Sequence, residues 1–297
     1  SQISRKWENT MKIEKPTKVS VIIPVLNRES ELFRCLASVL DQTFDDYEVI
    51  IVDNGSTDGT KDVVKKFAMR SPKVIYTNEP KSGIGRARYR GERKARGKAV
   101  LMTDSDCEVP REWIERMSTP VLEGHVASTQ GLKHAIHRNY WSLHVEEEEK
   151  RLMWEFFERY CTSKVDTANF CIDRGILEKV GYTDRTLDQL NDTELAARIY
   201  EKGYQVALLD ISVGHQNPLT LWAVARKLVQ RGAYHSMLMK KYPQNPIFDR
   251  QTLRLFLRYI LGLATEIFKM DGDFLYDLVS GVAWRFGLLC GVMKRPR

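Results

Sequence analysis

The chain has 297 residues, 43% of them hydrophobic, enough to bury one large core or a core plus an appendage. Its formal charge of +7 is uneven: Pro218–Arg297 holds 13 Lys/Arg against 5 Asp/Glu, whereas the first 217 residues hold 33 against 34. Five scattered cysteines (Cys35, Cys107, Cys161, Cys171, Cys290) without zinc-ligand spacing exclude a disulfide scaffold and a structural zinc cluster and point to a reducing compartment, and the polar N-terminus does not read as a secretory signal.

The first hundred residues alternate strand and helix patterns. Val19–Pro24 is a buried apolar run, followed from about Ser30 by a helix with Leu32, Leu36, Val39 and Leu40 on one face. A second strand, Tyr47–Asp53, stops at Asn54-Gly55-Ser56-Thr57-Asp58-Gly59. Thr57 or Asp58 is the expected cap of the next helix, which carries Val63, Val64 and Phe67. Lys73–Thr77 reads as a third strand, Gly85–Ala95 as a helix ended by Gly97, and Lys98–Thr103 as a fourth strand. This spacing implies parallel βαβ units, in which ligands bind beyond the carboxyl ends of the strands. Asn27, Asp53, Asn78 and Asp104 all fall at such ends.

From Pro110 to Gln216 helices and strands mix. A long polar helix is expected over Trp141–Tyr160, its acidic run Glu146–Glu149 reading as a solvated face. Two further strands, Thr167–Ile172 and Tyr204–Leu209, flank a helix from about Asp192 to Lys202. The C-terminal part reads as helices at Leu219–Lys241, Thr252–Met270 and Phe274–Met293. Charges inside the last two argue against a membrane span. Arg250, Arg254 and Arg258, four apart beside Leu253, Phe256, Leu257 and Tyr259, suit an amphipathic helix lying in a headgroup layer.

The chemistry concentrates at Leu101-Met-Thr-Asp-Ser-Asp106, an apolar strand ending in two carboxylates. In an extended segment Asp104 and Asp106 point the same way, so their oxygens converge on a point suited to a hard divalent cation with positions open for phosphate. The 54–59 loop is glycine-rich and opens a helix, which suits close approach of an anionic ligand, but it is neither a dinucleotide fingerprint nor a Walker loop.

Four segments together resemble family-2 glycosyltransferases of the GT-A fold: Val19-Ser-Val-Ile-Ile-Pro-Val-Leu-Asn-Arg-Glu29, Val52-Asp-Asn-Gly-Ser-Thr-Asp-Gly-Thr60, Gly83-Ile-Gly-Arg-Ala-Arg-Tyr-Arg-Gly91 and Met102-Thr-Asp-Ser-Asp106. A weaker likeness runs through Thr167-Ala-Asn-Phe170 and Asn191-Asp-Thr-Glu194 to Gly214-His215. The resemblance implies a mixed, mostly parallel α/β sheet flanked by helices, a nucleotide-sugar donor and an inverting outcome. It assigns Pro24, Val25 and Glu29 to the base and ribose, and Asp53 to an N–H of the base, which does not separate UDP from GDP. Arg86 and Arg88 would flank the pyrophosphate, and Asn27, Gly83 and Ser105 complete the donor set. Asp104 would contact ribose or metal, and Asp106 would hold Mn²⁺ or Mg²⁺ with His215 as a late-segment ligand. Asp192 falls at the general base, with Glu194 as fallback; Asn191 stands where the family commonly reads Glu.

These readings divide the chain into an extension (1–17), a GT-A catalytic domain (18–217) and a basic amphipathic helical segment (218–297) that docks on an anionic membrane surface at the cytoplasmic face. The expected acceptor is a lipid-linked or cell-envelope glycan. A soluble transferase acting on a small polar acceptor is the alternative within the class. A nucleic-acid-binding α/β protein is disfavoured because the C-terminal Lys/Arg are interleaved with aliphatic runs. A nucleotidyltransferase is disfavoured because Pro24-Val-Leu-Asn27 lacks a Gly-rich basic loop.

Overall fold

The computed structural model describes residues 17–243, 245 and 274–293. The helix expected over 252–270 and the Arg250, Arg254, Arg258 stripe lie outside the described residues.

Eight strands form one sheet in the order β3-β2-β1-β4-β7-β6-β8-β5. They are β1 (Val19–Val25), β2 (Tyr47–Asp53), β3 (Val74–Asn78), β4 (Ala99–Met102), β5 (Cys107–Glu108), β6 (Ser128–Ala135), β7 (Phe170–Asp173) and β8 (Val206–His215). The β3-β2-β1-β4 half is parallel, as the strand–helix alternation predicts. β7 then pairs antiparallel to β4 and to β6, and β8 runs parallel to β6. Helices α1 (Glu29–Leu40), α2 (Thr60–Arg70), α3 (Ile84–Lys94), α4 (Trp113–Leu122), α5 (Tyr140–Tyr160), α6 (Arg174–Val180) and α7 (Asn191–Glu201) flank this sheet, followed by α8 (Leu221–Lys241) and α9 (Phe274–Met293).

Strand periodicity sorts the core into two layers. Val19, Val21, Ile23 and Val25 of β1 pack with Leu32, Leu36 and Val39 of α1 and with Val63, Val64 and Phe67 of α2. Ile22, Ile50 and Val52 turn the other way, toward Ala87 of α3, Leu177 of α6 and Leu195 of α7. Ser20 and Glu48 share that second face without an apolar partner. Ser20 Oγ donates to Glu48 Oε1 at 2.7 Å, and Arg96 closes the pair through Glu48 Oε2, so the buried carboxylate is compensated.

The cap of α2 differs from expectation. Gly59 is the N-cap residue, and the Asp58 carboxylate serves the helix start by accepting from Thr60 N–H at 3.1 Å and from Glu29 N–H at 3.2 Å. The acidic run on α5 is not simply solvated either. Glu146 accepts from Ala135 N–H at 2.8 Å, and Glu149 faces Lys133 on β6 at 2.8 Å.

α8 and α9 pack closely across glycine. A Cβ on Gly232 would lie 2.3 Å from Trp284 O, and one on Gly287 would lie 2.1 Å from Val229 O, so only glycine admits this approach.

Candidate active site

The carboxyl ends of β1 and β4 open on a cavity of about 520 Å³. Its walls include Pro24, Val25, Asn54, Gly83, Arg88, Asp104, Ser105, Asp106, Asn191, Asp192 and His215. The chain does not stay extended through the paired carboxylates. β4 ends at Met102, and Cys107 N–H donates to Asp104 O at 3.1 Å, so the pair sits on a turn. That turn lets β5 pair antiparallel with the end of β8, Cys107 opposite His215. Ligand atoms of Asp104, Asp106 and His215 lie within 4.8 Å of one another, the group among the described residues able to hold a metal ion.

His215 is oriented from behind. Its Nε2 lies 3.8 Å from Asp106 Oδ1, and its Nδ1 lies 2.8 Å from Asn217 Oδ1. Asn217 Nδ2 donates to Ser142 O at 3.1 Å, which turns the amide oxygen toward the imidazole. Nδ1 is therefore the nitrogen that donates to Asn217, and Nε2 is the one that faces the carboxylates. Ser142 is itself locked in the capping box of α5 with Asn139.

Arg88 ties the two halves of the site. Only 8% exposed, it donates through Nη2 to Asp104 Oδ1 at 2.8 Å and through Nη1 to Asn191 Oδ1 at 2.6 Å. One guanidinium thus sets the carboxylate turn against the start of α7. Asn191 suits this place: its Oδ1 serves Arg88, and its Nδ2 donates back to Leu187 O at 3.1 Å.

Asp192 lines the cavity one residue on, accepting from Thr193 N–H at 2.6 Å. Burial, reinforced by the nearby Asp166 charge, pushes its carboxyl above the usual range; Arg231 and Arg88 pull the other way. Glu194, the fallback, is 1% exposed and does not line the cavity. It accepts from Arg198 at 2.7 Å and from Lys241 and Tyr242, a clamp between α7 and the end of α8.

Other expected donor residues stand behind the wall. Asp53 is buried, its Oδ1 accepting from the N–H groups of Gly55 and Ser56 and its Oδ2 from Tyr76 Oη at 2.8 Å. Asn27 takes a positive φ of 51° and accepts from Thr57 N–H at 2.8 Å. Glu29 lies against Gly59, and neither it nor Asn27, Asp53 or Arg86 lines the cavity. Gly83 does, with φ +137° and Asp188 Oδ1 2.7 Å from where a Cβ would stand. Asn54, not among the expected donor residues, holds that segment by accepting from Gly83 N–H at 2.8 Å and donating to Glu79 O and Lys81 O.

The far wall was not legible as a site. Lys133, Asp166, Lys227 and Arg231 face the same cavity from β6, the segment before β7, and α8. α8, read from sequence as part of the docking segment, therefore also walls the site.

Residues 20–180 match the family model described as glycosyl transferase family 2. Among curated relatives, glycosyltransferase GlyA of Streptococcus pneumoniae is 29% identical over 130 residues, 44% of this chain and 18% of that protein. Glycosyltransferase AglE of Haloferax volcanii is 38% identical over 101 residues, 33% of each chain. The chain thus spans a third or less of the length of these relatives. Among solved structures, the mannosyltransferase PcManGT from Pyrobaculum calidifontis, in complex with GDP-Man and Mn²⁺, superposes with a TM-score of 0.69 at 15% identity, covering 99% of this chain and 95% of that one. S. aureus TarS 1-349 in complex with UDP-GlcNAc gives 0.57 at 16% identity, covering 92% and 90%. The sheet order, its flanking helices and these superpositions agree on a GT-A fold.

Proposed function

The chain belongs to glycosyl transferase family 2, and we propose that it moves a sugar, with inversion, from a UDP- or GDP-sugar to a hydroxyl of a lipid-linked or cell-envelope glycan. The observation that carries this reading is one cavity in which Asp104, Asp106 and His215 converge and Asp192 shares the wall.

Two carboxylates and an imidazole, with ligand atoms within 4.8 Å of one another, suit Mn²⁺ or Mg²⁺. A metal held by these three residues would supply positive charge to neutralise the departing nucleoside diphosphate. Arg88 holds Asp104 in place for this and adds a fixed positive charge. Pro24, Val25, Asn54, Gly83 and Ser105 supply the remaining donor surface, Gly83 allowing backbone approach. Asp192 receives the proton of the attacking acceptor hydroxyl, and its raised pKa strengthens it as a base.

We place the chain peripherally at the cytoplasmic face of a membrane. The basic C-terminal part supports this, as do exposed apolar side chains at Leu219, Trp222 (81% exposed), Val282 and Phe286. Among the described residues no helix is long and apolar enough to cross a membrane.

Calorimetric titration of UDP and of GDP, each with Mn²⁺ and with EDTA, tests the donor site. Binding of one nucleotide that disappears with EDTA is expected; binding of neither, or equal binding in EDTA, refutes the reading. Sedimentation with phosphatidylglycerol liposomes tests the docking, which is abandoned if the protein stays in the supernatant.

A further inference from the structure

Lys227 and Arg231 lie one turn apart on α8, and both line the cavity. Neither is well satisfied among the described residues. Among the described residues, Lys227 Nζ has one carboxylate neighbour, Glu149 Oε1 at 3.7 Å, beyond hydrogen-bond reach. Arg231 reaches the same oxygen through Nη1 at 3.4 Å, which leaves most of its five N–H donors uncommitted among those residues. The other oxygen of Glu149 belongs to Lys133 at 2.8 Å, and Lys133 also holds Asp166 at 2.6 Å. Lys133 is thus the locally neutralised cation, and the two on α8 share what remains. Burial presses the Lys227 ammonium toward its neutral form, the mark of a cation short of counter-charge.

The charges of the cavity fall into two groups. Asp104, which Arg88 holds, lies with Asp106 and His215. Lys133, Asp166, Lys227 and Arg231 line the cavity as a second group, with Glu149 paired to the three cations. Asp192 lines the same cavity, its charge opposed by Asp166 and favoured by Arg231 and Arg88. The charges acting most strongly on Arg231 are Glu149, Asp192 and Asp166, not the paired carboxylates of the turn. Arg231 therefore acts on the proposed base, and Lys227, one turn away on α8, lines the same cavity as both.

We infer that Lys227 and Arg231 form an acceptor subsite for a phosphate group, monoester or diester, adjoining the hydroxyl that Asp192 deprotonates. Arg231 offers a planar fork to two phosphate oxygens, and Lys227 adds a compact charge one turn away. This rests on the glycosyltransferase reading and narrows its acceptor to a phosphorylated one. A phosphate carried by a lipid and one carried by a soluble polyol share this chemistry.

The test is calorimetry on the full chain with Mn²⁺ and UDP or GDP, using geranyl phosphate, glycerol 3-phosphate and geraniol as probes. A phosphate probe is expected to bind at least about tenfold more tightly than geraniol, and the double variant Lys227→Gln/Arg231→Gln to lose roughly tenfold or more of that affinity. The charge-keeping Lys227→Arg should retain it, which separates loss of the site from loss of fold. Preference for geranyl phosphate assigns the phosphate to a lipid, and preference for glycerol 3-phosphate to a soluble polyol. Equal binding of geraniol and geranyl phosphate overturns the proposal. So does a double variant that loses nucleotide instead, since the cations would then serve the donor's diphosphate. Failure of the parent protein to bind either nucleotide counts against the glycosyltransferase reading itself and is read separately.

Discussion

Cys107 on β5 lies directly opposite His215 at the end of β8, and this one register brings a histidine more than a hundred residues away to within 3.8 Å of Asp106. The carboxylate turn is thus completed by β8, the neighbour of edge strand β5. His215, the proposed third ligand, is held by a relay from Ser142 in the α5 cap through Asn217 to its Nδ1.

Asn217 is therefore a positioning residue for the metal site. Replacing it with Ala frees the imidazole to rotate and to exchange tautomers. Mn²⁺ affinity, followed by the EPR signal of free Mn²⁺, should fall roughly 10- to 100-fold. Asn217→Asp, which can still accept from Nδ1–H, should restore much of it. Unchanged metal affinity in Asn217→Ala would reduce Asn217 to a tether between α5 and the end of β8.

Arg88 presents a different dependence. Removing its head in Arg88→Met strands Asp104 and Asn191, and breaking such a buried pair costs about 3 kcal/mol. A drop in the denaturant midpoint is expected, together with loss of Mn²⁺-dependent nucleotide binding. Arg88→Lys keeps the charge but cannot reach Asp104 Oδ1 and Asn191 Oδ1 together, so it should recover stability more fully than turnover. Equal recovery of both would show that the fork geometry is unimportant.

The parallel half of the sheet was readable because β1, β2 and β4 are near-continuous apolar runs, buried on both faces. β6 was not: Ser128-Thr-Gln-Gly131 carries no apolar pattern. Its buried side chains are satisfied individually, Thr129 Oγ1 donating to Met117 O at 2.7 Å and Gln130 Nε2 to Asn169 O at 3.0 Å. β5, at two residues, is shorter than any periodicity can register. In the site, Asp104 and Asp106 were legible as a motif, and Asp192 and His215 only through the family resemblance. Asp53 and Asn27 were legible as polar residues at strand ends, but their side chains are occupied with the 54–57 turn. Lys133, Lys227 and Arg231 gave no local signal, because only tertiary packing brings β6 and α8 to one cavity.

Asp192 and Glu194 lie two residues apart on α7 and should behave oppositely. Asp192→Asn keeps the cavity shape and should lower turnover by roughly 10²–10⁴-fold, with donor binding by calorimetry unchanged. Weakened donor binding instead would contradict the base role. Burial opposes the charge on Glu194, but Arg198, Tyr242 and Lys241 outweigh it and hold the carboxyl below its usual range. That stabilisation is present above the ordinary carboxylate pKa and fades as pH falls through the lowered one. Glu194→Gln should therefore cost about 3 kcal/mol in neutral denaturant titrations while turnover per folded molecule stays near normal. A variant of normal stability and no activity would return Glu194 to the list of candidate bases.

The acid limb of the pH profile tests the same carboxylate without deleting it. A base acts ionised, so turnover holds at pH values above the Asp192 pKa and falls as pH drops through it. Burial raises that pKa first, and the negative charge of Asp166 raises it further. Asp166 does not titrate in this window: burial raises its own pKa, but Lys133 outweighs that and holds it at about 2. Asp166→Asn removes a like charge, Asp192 gives up its proton more readily, and the acid limb of kcat/KM should move to lower pH. Arg231→Gln removes an opposite charge and should move it to higher pH. Opposite displacements in the two variants identify Asp192 as the titrating group. A limb that stays put in both would sink its assignment as the base, whatever the activity of Asp192→Asn.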